Sequence, residues 1–214
     1  MKLYFVRHGE SKYNSLKLHQ NATVDLSPFG QKQAQKVAKR FEKISIDLIL
    51  SSPMTRAHET AKEIHKVTKK ELKITELLRE VKKPTMFEGK SLSDPELESA
   101  KDQIKKHFTD PTWHHSDEEN FSDLKDRAVK FIKHVATYKK ERIAVTTHGD
   151  FLRIIVGVMI FGENFTTDIY YSLQKHIALY NTGISICQRD EKALPTGRQG
   201  KWMLLTWNDH AHLG

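Results

Sequence analysis

One cysteine, Cys187, stands in a chain of 214 residues. A single thiol excludes an intrachain disulfide framework, and a reducing, cytoplasmic setting is the expectation. Apolar runs are short: none reaches the roughly 18 residues that a membrane helix needs. The first apolar stretch, residues 3–6, is followed at once by Arg7 and His8, which is not the pattern of a signal peptide. Walker loops and dinucleotide fingerprints are missing, and neither Ser11 nor Cys187 lies in a G-x-S-x-G setting. The 12 histidines include His114-His115 beside Asp117 and the pair His210 and His212, but no H-E-x-x-H spacing, so no metal is expected. There is no internal repeat and no interleaving of aromatic with basic residues.

What the chain does have is positive charge. Lys plus Arg number 35 against 27 acidic residues, a net +8, which favours anionic partners. Many of the lysines fall in helix-like stretches such as QKQAQKVAKRFEK and KDQIKKHF, where a solvated face explains them, so nucleic acid is not the expected partner. The length suits one domain spanning residues 1–214.

Strand-like and helix-like patterns alternate. LYFV (3–6) reads as a buried strand, and Ser27-Pro28 reads as the N-cap and first position of a helix with Ala34, Val37, Ala38 and Phe41 on one face. IDLILSS (46–52) is a strand and PMTRAHETAKEIHKV a helix burying Ala57, Ala61 and Ile64; KITELL (73–78) is a further short strand. FSDLKDRAVKFIKHVATY predicts a helix, RIAVTTH a strand and FLRIIVGVMIF an almost wholly apolar helix. GISICQR and KWMLLTWN close the chain as strands, with DEKALPTGRQG (190–200) as a long exposed hairpin connection. This pattern predicts an α/β fold with helices on both faces of the sheet. Residues 84–120 break the rhythm: one helix, SDPELESAKDQIKKHF, with a Ser93/Glu96 capping box, then the polar TDPTWHHSDEEN. The segment is expected to act as a cap or insert over the site.

Three strand ends carry the chemistry-bearing groups: VRHGES, SSPMTRAHET and TTHGDFLR. A parallel sheet brings such ends to one edge, where Arg7, His8, Arg56 and His148 form a cationic pocket. A phosphoryl group is the natural occupant, since arginine grips it bidentately. Gly9 allows the backbone to turn tightly or to lie close to a ligand.

In these residues the chain resembles the histidine phosphatase superfamily, the phosphoglycerate-mutase-like fold. RHGES with Asn14 resembles its opening signature, DLSPFGQKQA its following helix, SSPMTRAHETA its second arginine motif and TTHGDFLR its second histidine motif. ENFSDLKDRAVKFI, NTGISI and WNDHAHL are weaker echoes, while residues 84–118 and 189–200 have no counterpart. The resemblance implies a three-layer αβα sandwich with a mostly parallel sheet. It also implies a cofactor-free, metal-independent phosphatase that acts on a small phosphomonoester through a phosphohistidine. On that reading His8 is the nucleophile, and Arg7, Arg56 and His148, with Ser11, Asn14 and Gly149, hold the phosphoryl oxygens. Glu80, in TELLREV, is placed like the family's acid/base glutamate, with Glu88 and Glu76 as competitors. Asp150 is set aside as the acid because Gly149 separates it from His148. The alternatives are a phosphoglycerate mutase-type isomerase and a non-catalytic phospholigand-binding module. The stretch VKKPTMFEGKS after Glu80 lacks the Arg-His-Tyr-Gly-type sequence that mutases carry, which favours hydrolysis.

Overall fold

The first strand, β1 (Lys2–Arg7), is apolar on both faces: Leu3 and Phe5 point into one hydrophobic cluster and Tyr4 and Val6 into another. Such a strand must be covered on both sides, and this sets the layering. The computed structural model describes residues 1–189 and 201–214. In chain order these form β1, α1 (Lys12–Leu16), α2 (Pro28–Phe41), β2 (Leu48–Ser51), α3 (Thr55–Thr68) and β3 (Leu72–Ile74). Then follow α4 (Glu98–His107), α5 (Phe121–Thr137), β4 (Arg142–Thr147), α6 (Gly149–Phe161), α7 (Thr167–His176), β5 (Ile184–Arg189) and β6 (Trp202–Asp209).

The six strands make one sheet in the order β3-β2-β4-β1-β5-β6. β3, β2, β4 and β1 run parallel, β5 is antiparallel to β1, and β6 is antiparallel to β5. Val37, Ala38 and Phe41 of α2 and Ala61 and Ile64 of α3 cover one face. Leu124, Ala128, Phe131 and Val135 of α5, with Phe151, Leu152 and Ile155 of α6, cover the other. The result is a three-layer αβα sandwich with a mostly parallel sheet. Each fully buried leucine or phenylalanine in these layers contributes about 1.5–3 kcal/mol of burial free energy.

Two expectations need correction. The strand expected over 73–78 ends at Ile74; Thr75 then caps a 3₁₀ turn at Glu76–Leu78 by accepting the Leu77 N–H. The Ser93/Glu96 capping box does not form, because Asp94 caps a 3₁₀ turn at Pro95–Leu97 and the Ser93 hydroxyl pairs with Ser91 instead. The helix α7 was not expected: only Tyr170 of its ten residues is buried, so the sequence shows no apolar stripe there. The connection read over 190–200 lies outside the described residues. Among the described residues no helix is long and apolar enough to cross a membrane.

Candidate active site

The carboxyl ends of the parallel strands meet at one edge. β1 ends in Arg7-His8-Gly9, β2 in Ser51-Ser52 and β4 in Thr147-His148-Gly149, the last residue opening α6. The His8 amide donates to the Thr147 carbonyl at 2.9 Å, extending the β1–β4 ladder by one bond. Asn181 Nδ2 donates to the His8 carbonyl at 2.8 Å from the opposite side. The two imidazoles then stand 5.0 Å apart, centroid to centroid.

His8 has a defined tautomer. Its Nδ1 lies 2.7 Å from the Gly9 carbonyl, an oxygen that can only accept, so Nδ1 carries the proton. Arg56 Nε, which can only donate, faces Nε2 at 3.3 Å, so Nε2 presents its lone pair. Burial, then the charges of Arg56 and Arg7, hold the His8 pKa well below 6.5, so the ring is neutral. His148 is neutral for the same first cause, with Arg56, His8 and Arg7 adding to it. Its Nε2 meets the Ser52 hydroxyl at 2.8 Å, while its Nδ1 is buried without a hydrogen-bond partner.

The arginines are held by backbone. Arg56 Nη1 donates to the Asn21 carbonyl at 2.8 Å, and burial lowers its pKa to about 10, still fully charged at neutral pH. Arg7 Nη1 donates to the Leu179 carbonyl, and Arg7 Nε is buried without a partner. Gly149 adjoins this group: a Cβ placed there would lie 3.4 Å from Arg7 Nε. Gly9 serves a packing need more than a ligand. A side chain on it would come within 2.5 Å of the Gly30 carbonyl oxygen at the start of α2, and one on Gly30 would come within 1.9 Å of the Glu10 carbonyl oxygen.

Glu80 follows the 3₁₀ turn after β3 and reaches the start of α6. Its Oε1 accepts from the Phe151 amide at 2.9 Å and the Val81 amide at 3.0 Å, and its Oε2 from the Asp150 amide at 3.5 Å. Burial, then the Asp150 carboxylate, push its pKa up against these N–H groups and Arg56. Thr147 Oγ1 ties the turn down through the Leu78 carbonyl at 2.9 Å.

A cavity of about 570 Å³ opens over this edge. Arg7, Asn14, Arg56, Glu80 and Gly149 line it, and residues 84–92 supply Pro84, Phe87, Glu88 and Leu92. His8 and His148 are 2% and 0% exposed and sit behind the arginines. Ser11 is placed elsewhere: fully buried, it caps α1 by accepting the Asn14 amide and donates its hydroxyl to Gln20 Oε1, and it does not line the cavity. Asn14 lines the cavity but also completes that capping box by accepting the Ser11 amide. Glu88 is exposed at the rim, and Glu76 pairs with Arg79 at 3.3 Å. Ser52, Asn181 and Arg153 also serve this edge without having been singled out; each lies inside a stretch quoted for its resemblance.

Among the described residues no three His, Cys, Asp or Glu side chains are grouped to hold a metal ion. His114 bonds Asp123, and His212 bonds Thr182. Cys187 is buried in the core, and burial pushes its thiol up to about 12.

Keeping two imidazoles neutral has a cost at low pH. The unfolded chain protonates both near 6.5, the folded protein only well below it, so the stabilisation is complete above 6.5 and is lost as pH falls beneath that value. Each histidine then contributes a slope of about 1.4 kcal/mol per pH unit. The urea midpoint should therefore be flat above about pH 7 and fall steeply below about pH 6. A midpoint unchanged across that range would show that the imidazoles are not held neutral.

An αβα fold with a cationic pocket at the ends of its parallel strands, a neutral histidine facing an arginine and a carboxyl at a helix start define a phosphoryl-transfer enzyme. Residues 3–209 match the histidine phosphatase superfamily (branch 1), and the chain belongs to that family. It is similar to a Hydrogenobacter thermophilus protein named "Putative phosphoserine phosphatase 2", 32% identical over 160 residues that cover 74% of this chain and 78% of that one. It is also 26% identical to phosphoglycerate mutase-like protein 4 of Arabidopsis thaliana, over 99% of this chain and 86% of the other. A mutant phosphoserine phosphatase of Entamoeba histolytica, solved with phosphoserine, superposes with a TM-score of 0.77 at 25% identity, covering 100% of this chain and 99% of that one. The chain is a histidine phosphatase, an enzyme of phosphomonoester hydrolysis.

Proposed function

We propose that the enzyme hydrolyses a small phosphomonoester in two steps, with His8 as the nucleophile. The observation that carries this is the His8 tautomer: Nδ1–H fixed on the Gly9 carbonyl, Nε2 bearing a lone pair among cations. Nε2 attacks phosphorus as the ester oxygen departs, and Glu80, its pKa raised by burial, protonates the leaving alkoxide. Glu80 as carboxylate then takes a proton from the water that hydrolyses the phosphohistidine. Arg7 Nε, the Arg56 guanidinium, Asn14 and the Gly149 amide at the start of α6 face the phosphoryl oxygens, supported by His148.

Residues 84–120 act as a cap on this reading, since Phe87, Glu88 and Leu92 close one side of the cavity. They are stitched to the body by the Leu18–Ser91 bridge and by Gly89, whose amide donates to the His19 carbonyl at 2.9 Å. The lone buried thiol supports a reducing, cytoplasmic setting. The experiment is a screen of phosphomonoesters read by released phosphate, with L-phosphoserine included because relatives carry that activity in their names. Turnover of none of them would refute the reading. So would isomerisation of 3-phosphoglycerate, primed with 2,3-bisphosphoglycerate, outrunning phosphate release by about tenfold.

The arginines supply the positive charge that a metal supplies in other phosphatases. Activity should therefore survive EDTA, and vanadate, which adopts a trigonal-bipyramidal geometry, should inhibit. Loss on chelation with recovery on adding zinc or magnesium would overturn this.

A further inference from the structure

Arg127 does not line the cavity, yet every one of its donors is used close to Glu80. It projects from α5 and is 7% exposed. Nε and Nη2 grip the two Glu119 carboxylate oxygens, each at 2.7 Å. Nη1 donates to the Arg79 carbonyl at 2.8 Å and the Leu77 carbonyl at 3.4 Å, and Nη2 to the Glu80 carbonyl at 3.4 Å. The guanidinium carbon lies 3.6 Å from the Phe151 ring centroid. Phe151 is the residue whose amide holds Glu80 Oε1. Arg127 thus grips the peptide that carries the carboxyl and packs on the residue that receives it. Glu119 closes the clamp by also accepting the Lys82 amide at 2.9 Å, just past Glu80.

We propose that Arg127, clamped by Glu119, is the positioning residue of the acid, fixing the Glu80 carboxyl at the amino end of α6 without touching substrate. The proposal rests on the reading of Glu80 as the proton donor. A buried guanidinium with all five N–H groups engaged is a rigid support, because losing any one bond strands a polar group in a site of low dielectric. The groups facing Glu80 are Arg7 from β1, Arg56 from α3, Asp150 from α6 and Tyr170 from α7. None of these holds its backbone. That task falls to Arg127, with Thr147 on the preceding turn.

The test is a double-mutant cycle with Arg127→Lys and Glu80→Gln, on an alkyl phosphomonoester and on p-nitrophenyl phosphate. Lysine keeps the charge opposite Glu119 but cannot reach three carbonyls and stack on Phe151. Arg127→Lys should lower kcat on the alkyl substrate by about tenfold or more, change KM little, and change kcat on p-nitrophenyl phosphate by less than about threefold. With the alkyl substrate the double variant should be no slower than Glu80→Gln alone, because the same function has already been removed. Equal losses on both substrates, or losses that multiply in the double variant, would overturn the proposal and leave Glu80's role standing. If Glu80→Gln alone fails to discriminate between the substrates, the acid assignment falls and this proposal with it. Should Arg127→Lys not fold, Glu119→Gln serves instead: it loosens the clamp from the far side and should give the same discrimination in weaker form.

Discussion

His8→Ala should abolish phosphate release, a loss on the order of 10⁴-fold or more, in a protein that remains folded. The fold survives because the contacts that place residue 8 are made by its backbone: its amide on the Thr147 carbonyl and its carbonyl under Asn181. Alanine keeps both. What disappears is the single lone pair facing the arginines, and no neighbouring group replaces it. His148 is the other imidazole at hand, but its Nε2 is engaged with Ser52 and its unpartnered Nδ1 is fully buried. Labelled substrate quenched in alkali should leave an acid-labile phosphoryl group on the unsubstituted protein and none on the variant. A melting curve close to that of the parent would separate lost chemistry from lost structure. Substantial turnover by the variant would remove His8 from the mechanism.

Glu80→Gln should divide substrates by leaving group. An alkoxide needs a proton as it departs and a p-nitrophenolate hardly does, so the first should slow by about 10²–10⁴-fold and the second far less. Glutamine keeps an oxygen that can accept from the Phe151 amide, which preserves the cap on α6 while removing the transferable proton. The raised pKa of Glu80 adds a pH signature: the alkaline limb of the alkyl-substrate profile should be displaced upward from the ordinary carboxylate position and should vanish in Glu80→Gln. If Glu88→Gln discriminated instead, the acid would lie on the rim. Equal slowing of both substrates by Glu80→Gln would mark a structural role.

The strand ends were legible because a parallel sheet turns sequence into position: an apolar run followed by Arg-His or His-Gly can place those side chains at one edge only. Glu80 came from the family resemblance, since Glu76, Glu80 and Glu88 all follow the third strand and sequence position does not choose among them. Where the reading slipped, local pattern had been trusted against competition. Leu77 and Leu78 looked like strand, but Thr75 offered its hydroxyl to the Leu77 amide and wound the chain into a turn. Ser11 looked like a site hydroxyl and is a helix cap, since a serine three residues before Asn14 satisfies α1 first. The part played by Arg127 had no local signature. It depends on Glu119, on the carbonyls of residues 77–80 and on the Phe151 ring, and only the packed fold brings these together.

The close approach of Gly9 and Gly30 ties two distant motifs into one. A side chain on Gly9 would push into the Gly30 backbone and one on Gly30 into the Glu10 backbone, and Gly9 carries the carbonyl that sets the His8 tautomer. For anyone redesigning this enzyme, the two glycines must be kept as a pair, and the segment between them must keep the Asn21 carbonyl that holds Arg56. Retargeting the pocket is better begun at Phe87, Glu88 and Leu92, whose side chains face the cavity and leave that contact undisturbed.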